Sequence, residues 1–294
     1  MMRSTRLSLV VAMVCVSGTV AMAGQASAQV PAAPAQNTES VANPPPPDEP
    51  DDETVWSLSL GGTANTGNTR SLAISTGTNF RLRRGAHQLT IDGQWTYGRA
   101  SIRTAGVFGP WQQNADNLNG RGRYDYFLTE RDAVFGVAVA RRDHFAGLDS
   151  RLQFQAGYAR SFVQEENHRL WAEVGYDVTL DNFYPNPLLD PMTMQPLPGS
   201  DVFHSARIFA GYDNHVSERW SVLTGLEGLI DVQTIDNIRI NWISELGLTI
   251  VDGLAAKLQY TMRFDNVPVS GTGKLDTTTI LNLTYTLQTA AEAE

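Results

Sequence analysis

Fourteen charged residues lie inside stretches that otherwise alternate apolar and polar side chains, and each falls in the polar row of its own stretch. They are Arg81, Arg83, Asp92, Arg121, Arg123, Asp125, Glu173, Asp177, Arg207, Glu227, Arg239, Glu245, Lys257 and Arg263. Alternation at period two belongs to β-strands with two unlike faces. A helix cannot keep it on one side, because helical side chains return to a face every ~3.6 residues.

The alternating stretches run approximately over 54–64, 69–83, 86–101, 115–128, 132–144, 150–163, 168–183, 201–213, 219–232, 237–251, 253–267 and 274–288, twelve in all. In the third, Leu89, Ile91, Trp95 and Tyr97 oppose Thr90, Asp92, Gln94 and Thr96. In the eleventh, Leu254, Ala256, Leu258, Tyr260, Met262 and Phe264 oppose Lys257, Gln259, Thr261 and Arg263. In the fifth, Ala133, Phe135, Val137 and Val139 form the more apolar row, so they are expected to face outward, with Val134, Gly136, Ala138 and Ala140 inward. Arg141 continues that apolar row and is expected at an outer rim. Arg160, one step past Tyr158, is expected at an inner rim. From either rim a long side chain can snorkel to water.

The connections also alternate. Arg84-Gly85, Thr129–Arg131, Gln164–Asn167, Ser217-Glu218 and Asp252 are short, whereas 102–114, 184–200 and 268–273 are long. An even number of strands, short turns on one rim and longer loops on the other describe an antiparallel up-and-down transmembrane β-barrel of the outer-membrane kind. A mid-depth Arg or Lys on the lipid face costs roughly 2–4 kcal/mol, which explains charges confined to one row. A secreted soluble barrel or sandwich is the competing reading, with the apolar row buried instead. Against it, the polar row is rich in small residues, Gly77, Gly136, Ala138, Gly157, Ala159, Gly175, Gly211, Gly225 and Gly247, as a crowded lumen requires. Aromatics also collect near strand ends, with Trp56, Tyr126, Tyr158, Tyr212, Trp220 and Tyr285 towards one rim and Tyr97 and Phe264 towards the other.

The two ends of the chain are of another character. Arg3 and Arg6 precede an apolar run from Leu7 to Ala23, and Ala26-Ser27-Ala28 supplies a small-x-small cleavage pattern, so residues 1–28 read as an export signal, with Ala21-Met22-Ala23 an alternative cut. Residues 29–53 carry seven of the fourteen prolines and six acids and read as a disordered periplasmic linker. Residues 290–294 form a polar tail. The single cysteine, Cys15, lies in the leader, which leaves no thiolate for a disulfide or metal site in the exported part. Without both ends, the formal charge of −9 shrinks to 20 bases against 23 acids, and no basic footprint for nucleic acid remains.

The stretches "GGTANTGNTRSLAIS" (61–75), "RYDYFLTERDAVFG" (123–136), "RRDHFAGLDSRLQFQAGYARSF" (141–162) and "LWAEVGYD" (170–177) give the chain a family likeness. It resembles the salt-induced outer-membrane proteins (YdiY-like), a barrel domain of unknown function, over essentially all of 54–288. The resemblance implies a Gram-negative cell-envelope protein inserted by the barrel-assembly machinery, with the outer-membrane bilayer as its partner. It brings no catalytic or binding residues. One departure is the end, where Tyr285 and Leu287 are followed by a polar overhang instead of a terminal aromatic residue.

Little in the sequence suggests bond-making chemistry. The histidines at 87, 144, 168, 204 and 215 lack metal-ligand spacing, with His87, His168 and His215 at short turns and His144 at a loop, and no cofactor is implied. A hydrolase in such a barrel needs a serine beside a histidine on the lipid face, but His204 and Ser205 are adjacent and point to opposite faces. The lumen row is therefore the candidate site. If its charges segregate, they line a narrow or gated channel with a weak anion preference. If they pair in layers, they close the barrel as a structural or envelope-stress element. Inward-pointing Trp171, Phe209, Leu223, Ile243 and Ile280 favour partial filling. A third reading is ligand or partner binding through the long loops, where Leu188, Leu189, Met192 and Met194 either constrict the mouth or pack on their own prolines.

Loop length sets the expected orientation, with the longer loops outside. Cysteines introduced at Ala105 and Met192 should react with an impermeant maleimide on intact cells, and one at Glu165 should not. Reversed labelling would overturn this orientation.

Overall fold

A computed structural model describes residues 52–65, 69–104, 107–143, 145, 147–165, 167–184, 194–196, 198–267 and 273–290. The expected export signal, most of the linker and the last four residues lie outside the described residues, as do His144 and the loop residues Leu188, Leu189 and Met192. Twelve long strands account for almost everything else: β1 (Asp52–Asn65), β2 (Thr69–Arg84), β3 (His87–Thr104), β4 (Gln112–Phe127), β5 (Asp132–Asp143) and β6 (Leu148–Gln164), then β7 (His168–Phe183), β8 (Ser200–His215), β9 (Trp220–Asp231), β10 (Ile238–Val251), β11 (Leu254–Asp265) and β12 (Leu275–Ala290). Each pairs antiparallel with its neighbours in sequence, and β12 returns to β1 with Tyr285 opposite Leu58, so the sheet closes. Closure leaves no strand with an unpaired edge.

Tight turns gather at one rim. Gly85 and Gly253 adopt φ of 52° and 77°, the left-handed conformation that two-residue hairpins demand and that glycine reaches without strain. The opposite, long-loop rim contains the connection expected over 102–114. Much of that segment is strand instead. β3 runs on to Thr104, and a two-residue ribbon, Val107–Phe108, pairs back onto Arg103 and Thr104.

The apolar rows face outward on nearly every strand. Leu58, Ile74, Ile91, Leu118, Val174, Ile208, Leu226, Leu258 and Leu281 are all exposed, and Trp56, Tyr126, Trp220 and Tyr285 stand exposed near the short-turn rim. A soluble barrel would place this row inside. Here the buried inner row is Ser, Thr, Asn, Gln and charged residues, the arrangement of a barrel solvated by lipid.

Strand β5 departs from the expectation. Ala133, Phe135, Val137 and Val139 are buried in the lumen, while Val134, Ala138 and Ala140 are exposed outward. Register imposes this. Val137 lies opposite Arg123, and Phe135 lies opposite Asp125, and directly paired residues share a face. Arg141 therefore points inward too, donating to Asp143 Oδ2 at 2.8 Å, and it is no rim residue of the lipid face. Arg160 does face outward at the short-turn rim, paired with Asp132 at 3.0 Å. The small residues Gly136 and Ala138 belong accordingly to the lipid face, where hydrocarbon tails can cover them. The lumen takes the bulk.

This facing can be tested by substitution. Ala138→Arg should place a cation in hydrocarbon at a cost of roughly 2–4 kcal/mol and impair assembly. Val137→Thr should assemble normally, with heat-modifiable electrophoretic mobility as the readout. Normal assembly of Ala138→Arg would reverse the assignment.

Candidate functional site

The lumen is built from one row of every strand, so register decides which charges can meet. Five of the fourteen join in a chain. Arg123 on β4 grips Asp125 through Nε and Nη2, at 2.9 and 2.7 Å, and donates from Nη1 to Glu173 Oε1 on β7 at 2.8 Å. Glu173 Oε2 accepts from Arg207 Nη1 at 2.6 Å, and Arg207 Nε reaches Glu227 Oε1 at 2.6 Å. Asn241 Nδ2 completes the chain on Glu227 Oε2 at 2.8 Å. Since β4 and β7 are not adjacent, the Arg123–Glu173 bond reaches across the interior instead of running along the wall.

Phe135, inward because of the register of β5, underlies this chain. The guanidinium of Arg123 stands 4.4 Å from its ring centroid and that of Arg207 stands 5.5 Å away. Arg123 is 0% exposed and Glu173 1%. Ions held so far from water need nearly every donor and acceptor met, because desolvation otherwise outweighs their attraction. Here both oxygens of Glu173 and both of Glu227 are engaged.

Below the chain, towards the short-turn rim, Trp171, Phe209 and Ile243 form an apolar block with Leu223 against it. Trp171 fits only because residue 211 is glycine. A Cβ there would lie 2.2 Å from the indole ring. Ile280 is also buried inside.

Six more of the predicted charges pair off. Arg121 meets Asp92 at 3.4 Å, with Asn79 Nδ2 donating to the same carboxylate at 2.5 Å. Arg239 lies 3.7 Å from Asp177, and Lys257 3.1 Å from Glu245. Arg81 pairs with Glu53 at 3.2 Å, and Arg83 lies over the Phe127 ring at 4.8 Å. Arg263 has neither a hydrogen bond nor an ion pair among the described residues.

The lumen also holds charges beyond the fourteen of the strand interiors. Glu53, expected in the linker, is the second residue of β1 and is buried. Arg151 makes a two-pronged contact with Asp181 at 2.6 and 2.5 Å, and Arg169 pairs with Asp213. These residues sit near strand ends, where period two alone does not separate a lumen position from a rim. Arg141 and Asp143 share one parity of β5, which was the available signal that this row faces inward.

The lumen is chemically two-sided. β3–β9 carry most of the ion pairs. Beyond the Glu53–Arg81 pair and Arg83 near the short-turn rim, the wall formed by β12, β1 and β2 is polar and uncharged at mid-height, with Ser57, Ser59, Ser75, Asn79, Asn282 and Thr284. Ser57, Ser59, Asn79, Asn282 and Thr284 line a small cavity with Glu245 and Lys257, with room for about one water. The other chemistry considered is not assembled. His204 faces out, bonded to Tyr176 at 3.0 Å, whereas Ser205 is buried in the lumen. His87 bonds Tyr124 at 2.6 Å near the short-turn rim. No group of metal-ligating side chains occurs among the described residues.

Fold and lumen together define a closed twelve-stranded outer-membrane-type barrel with a charged, densely occupied interior. The chain belongs to the family described as protein of unknown function DUF481, which matches residues 58–287. No curated protein matches it. Among solved structures it is similar to an outer-membrane channel from Pseudomonas putida F1, at 14% identity over 87% of this chain and 100% of that one, with a TM-score of 0.44. It is also similar to the NanC porin, at 9% identity over 80% and 100%, with a TM-score of 0.44. A third is the translocator domain of the autotransporter NalP from Neisseria meningitidis, at 11% identity over 83% and 89%, with a TM-score of 0.39.

Removing Glu173 leaves Arg123 and Arg207 without their shared partner. Glu173→Ala should destabilise the barrel by roughly 3–5 kcal/mol, read from urea unfolding in detergent or lipid. Arg160→Ala, which breaks an exposed rim pair screened by solvent, should leave stability nearly unchanged. Equal losses would mean that the lumen chain is no more than a solvated surface.

Proposed function

We propose that the protein is a narrow outer-membrane channel that rests closed, shut by its own lumen side chains. One observation carries the reading. The Arg123–Glu173–Arg207–Glu227 chain crosses the interior and is excluded from water. It is held by hydrogen bonds and ion pairs, so it can separate without breaking the strand ladder. The neutral wall of Ser, Thr and Asn then offers a polar path past the displaced arginines. On this reading an export signal delivers the chain, the assembly machinery inserts it, and the N-terminal segment remains periplasmic.

The apolar block of Trp171, Phe209 and Ile243 favours a second reading. It fills the lumen on the short-turn side of the ionic chain, and an apolar plug gains nothing from opening to water. On that account the barrel is a closed envelope element with no transport.

Planar-bilayer conductance separates the two. The refolded wild-type protein should be silent or show rare small steps. The double substitution Arg123→Ser with Glu173→Ser should give frequent discrete steps. Steady large conductance from the wild type would refute resting closure. Silence from both proteins, with folding verified, would favour the closed envelope element.

A further inference from the structure

The lumen near the long-loop rim holds four arginines outside the sealing chain: Arg141 on β5, Arg151 on β6, Arg239 on β10 and Arg263 on β11. Arg141 and Arg151 are directly paired in register. Arg239 and Arg263 are diagonal neighbours, since Arg263 lies opposite Asn241 and Arg239 opposite Asp265. In a ring of twelve, β5–β6 and β10–β11 stand on opposite walls. The cations nonetheless come close enough to repel, Arg263 being opposed by both Arg141 and Arg151. Asp143 and Asp276, the cross-strand neighbour of Arg263, attract it without forming an ion pair or hydrogen bond with it among the described residues.

The nearby carboxylates do not use up these donors. Asp181 is committed to Arg151 through both oxygens. Asp143 accepts from Arg141 Nη2 at 2.8 Å and from Asn117 at 2.9 Å. Asp177 accepts from Gln153, Gln155 and Thr179 at 2.5, 3.1 and 2.8 Å, and Arg239 stays 3.7 Å away, donating instead to Ser205 Oγ at 3.3 Å. Within this cluster two guanidinium nitrogens are buried with no hydrogen-bond partner among the described residues, Arg263 Nη2 and Arg141 Nε. Asn119, opposite Arg141 on β4, has a buried Oδ1 in the same condition, and turning its amide offers Nδ2 instead.

Converging cations with unmet donors require an acceptor. We propose that this arginine cluster binds a small multivalent oxyanion of the phosphate type, held between Arg263 and Arg239 on one wall and Arg141 on the other. Guanidinium forks suit such oxygens, and a doubly charged anion offsets the repulsion that water leaves in place. The site rests on the channel reading only for its role, as the selective position for anions above the seal. Binding itself requires no conduction.

The test is thermal unfolding of the refolded full-length protein in detergent, titrated with inorganic phosphate against sodium chloride at matched ionic strength. The unfolding midpoint should rise saturably with phosphate and not with chloride, as binding to the folded state alone requires. Arg263→Gln should weaken the apparent affinity about tenfold or more, as expected for loss of a charge-assisted hydrogen bond. Arg160→Gln, at the far rim, should leave it unchanged. If Arg263→Gln fails to fold, Arg239→Gln serves the same purpose. The proposal is overturned if phosphate acts no differently from chloride, or if wild type and the lumen variants respond equally. A wild-type protein that binds phosphate but never conducts, even with its seal removed, would sink the channel reading and leave this site intact.

Discussion

A peptide group in hydrocarbon has no water to bond with, and every structural feature of this protein follows from meeting that demand. Twelve strands satisfy it only by closing, which the pairing of β12 with β1 achieves. Closure in turn divides each strand into a lipid row and a lumen row. Once that division exists, a charge has one affordable direction, and the register of each strand is tied to that of its neighbours. The outward Leu, Ile and Trp band and the inward ionic row are two results of the same constraint.

The interior then has a packing problem of its own. A ring of this size leaves space that small side chains would not fill, and voids forfeit contacts. The protein fills it with long and flat groups. Trp171 lies against Gly211, Phe135 supports two guanidinium groups, and arginines reach from one wall to acids on another. Arginine suits this task because its planar fork satisfies two acceptors at once, as Arg123 and Arg207 both do. The preponderance of Arg over Lys, twenty to two, is consistent with that use.

The same packing separates the lumen into layers with different tasks. The apolar block near the short turns is inert to charge. The Arg123–Glu173–Arg207–Glu227 chain is saturated internally, which gives it the character of a seal. The arginine cluster nearer the long loops has unmet donors, which gives it the character of a receiving site. On the proposed channel reading, an anion entering from the long-loop side would meet the unsatisfied layer before the satisfied one.

Much of this was legible in the sequence. Period-two alternation fixes strand type, the placement of the fourteen charges marks the inner row, and turn glycines such as Gly85 mark the hairpins. Family membership follows from the same stretches. The facing of β5 was not legible from hydrophobicity, because Val, Phe, Gly and Ala are all tolerable on either side, and the only sequence signal for the inward row is the shared parity of Arg141 and Asp143 at the strand's end. The pairing of Val137 with Arg123 and of Phe135 with Asp125 decided it. Nor could the sequence say which ions meet. Arg123 and Glu173 are fifty positions apart and become partners because β4 and β7 enclose the same space, whereas Arg263, opposite Asp276 on β12, keeps a buried Nη2 with no hydrogen bond among the described residues. Alternation is a local property that a single strand can express. Partnership across a lumen is a property of the closed ring, and exists only after all twelve strands have taken their register.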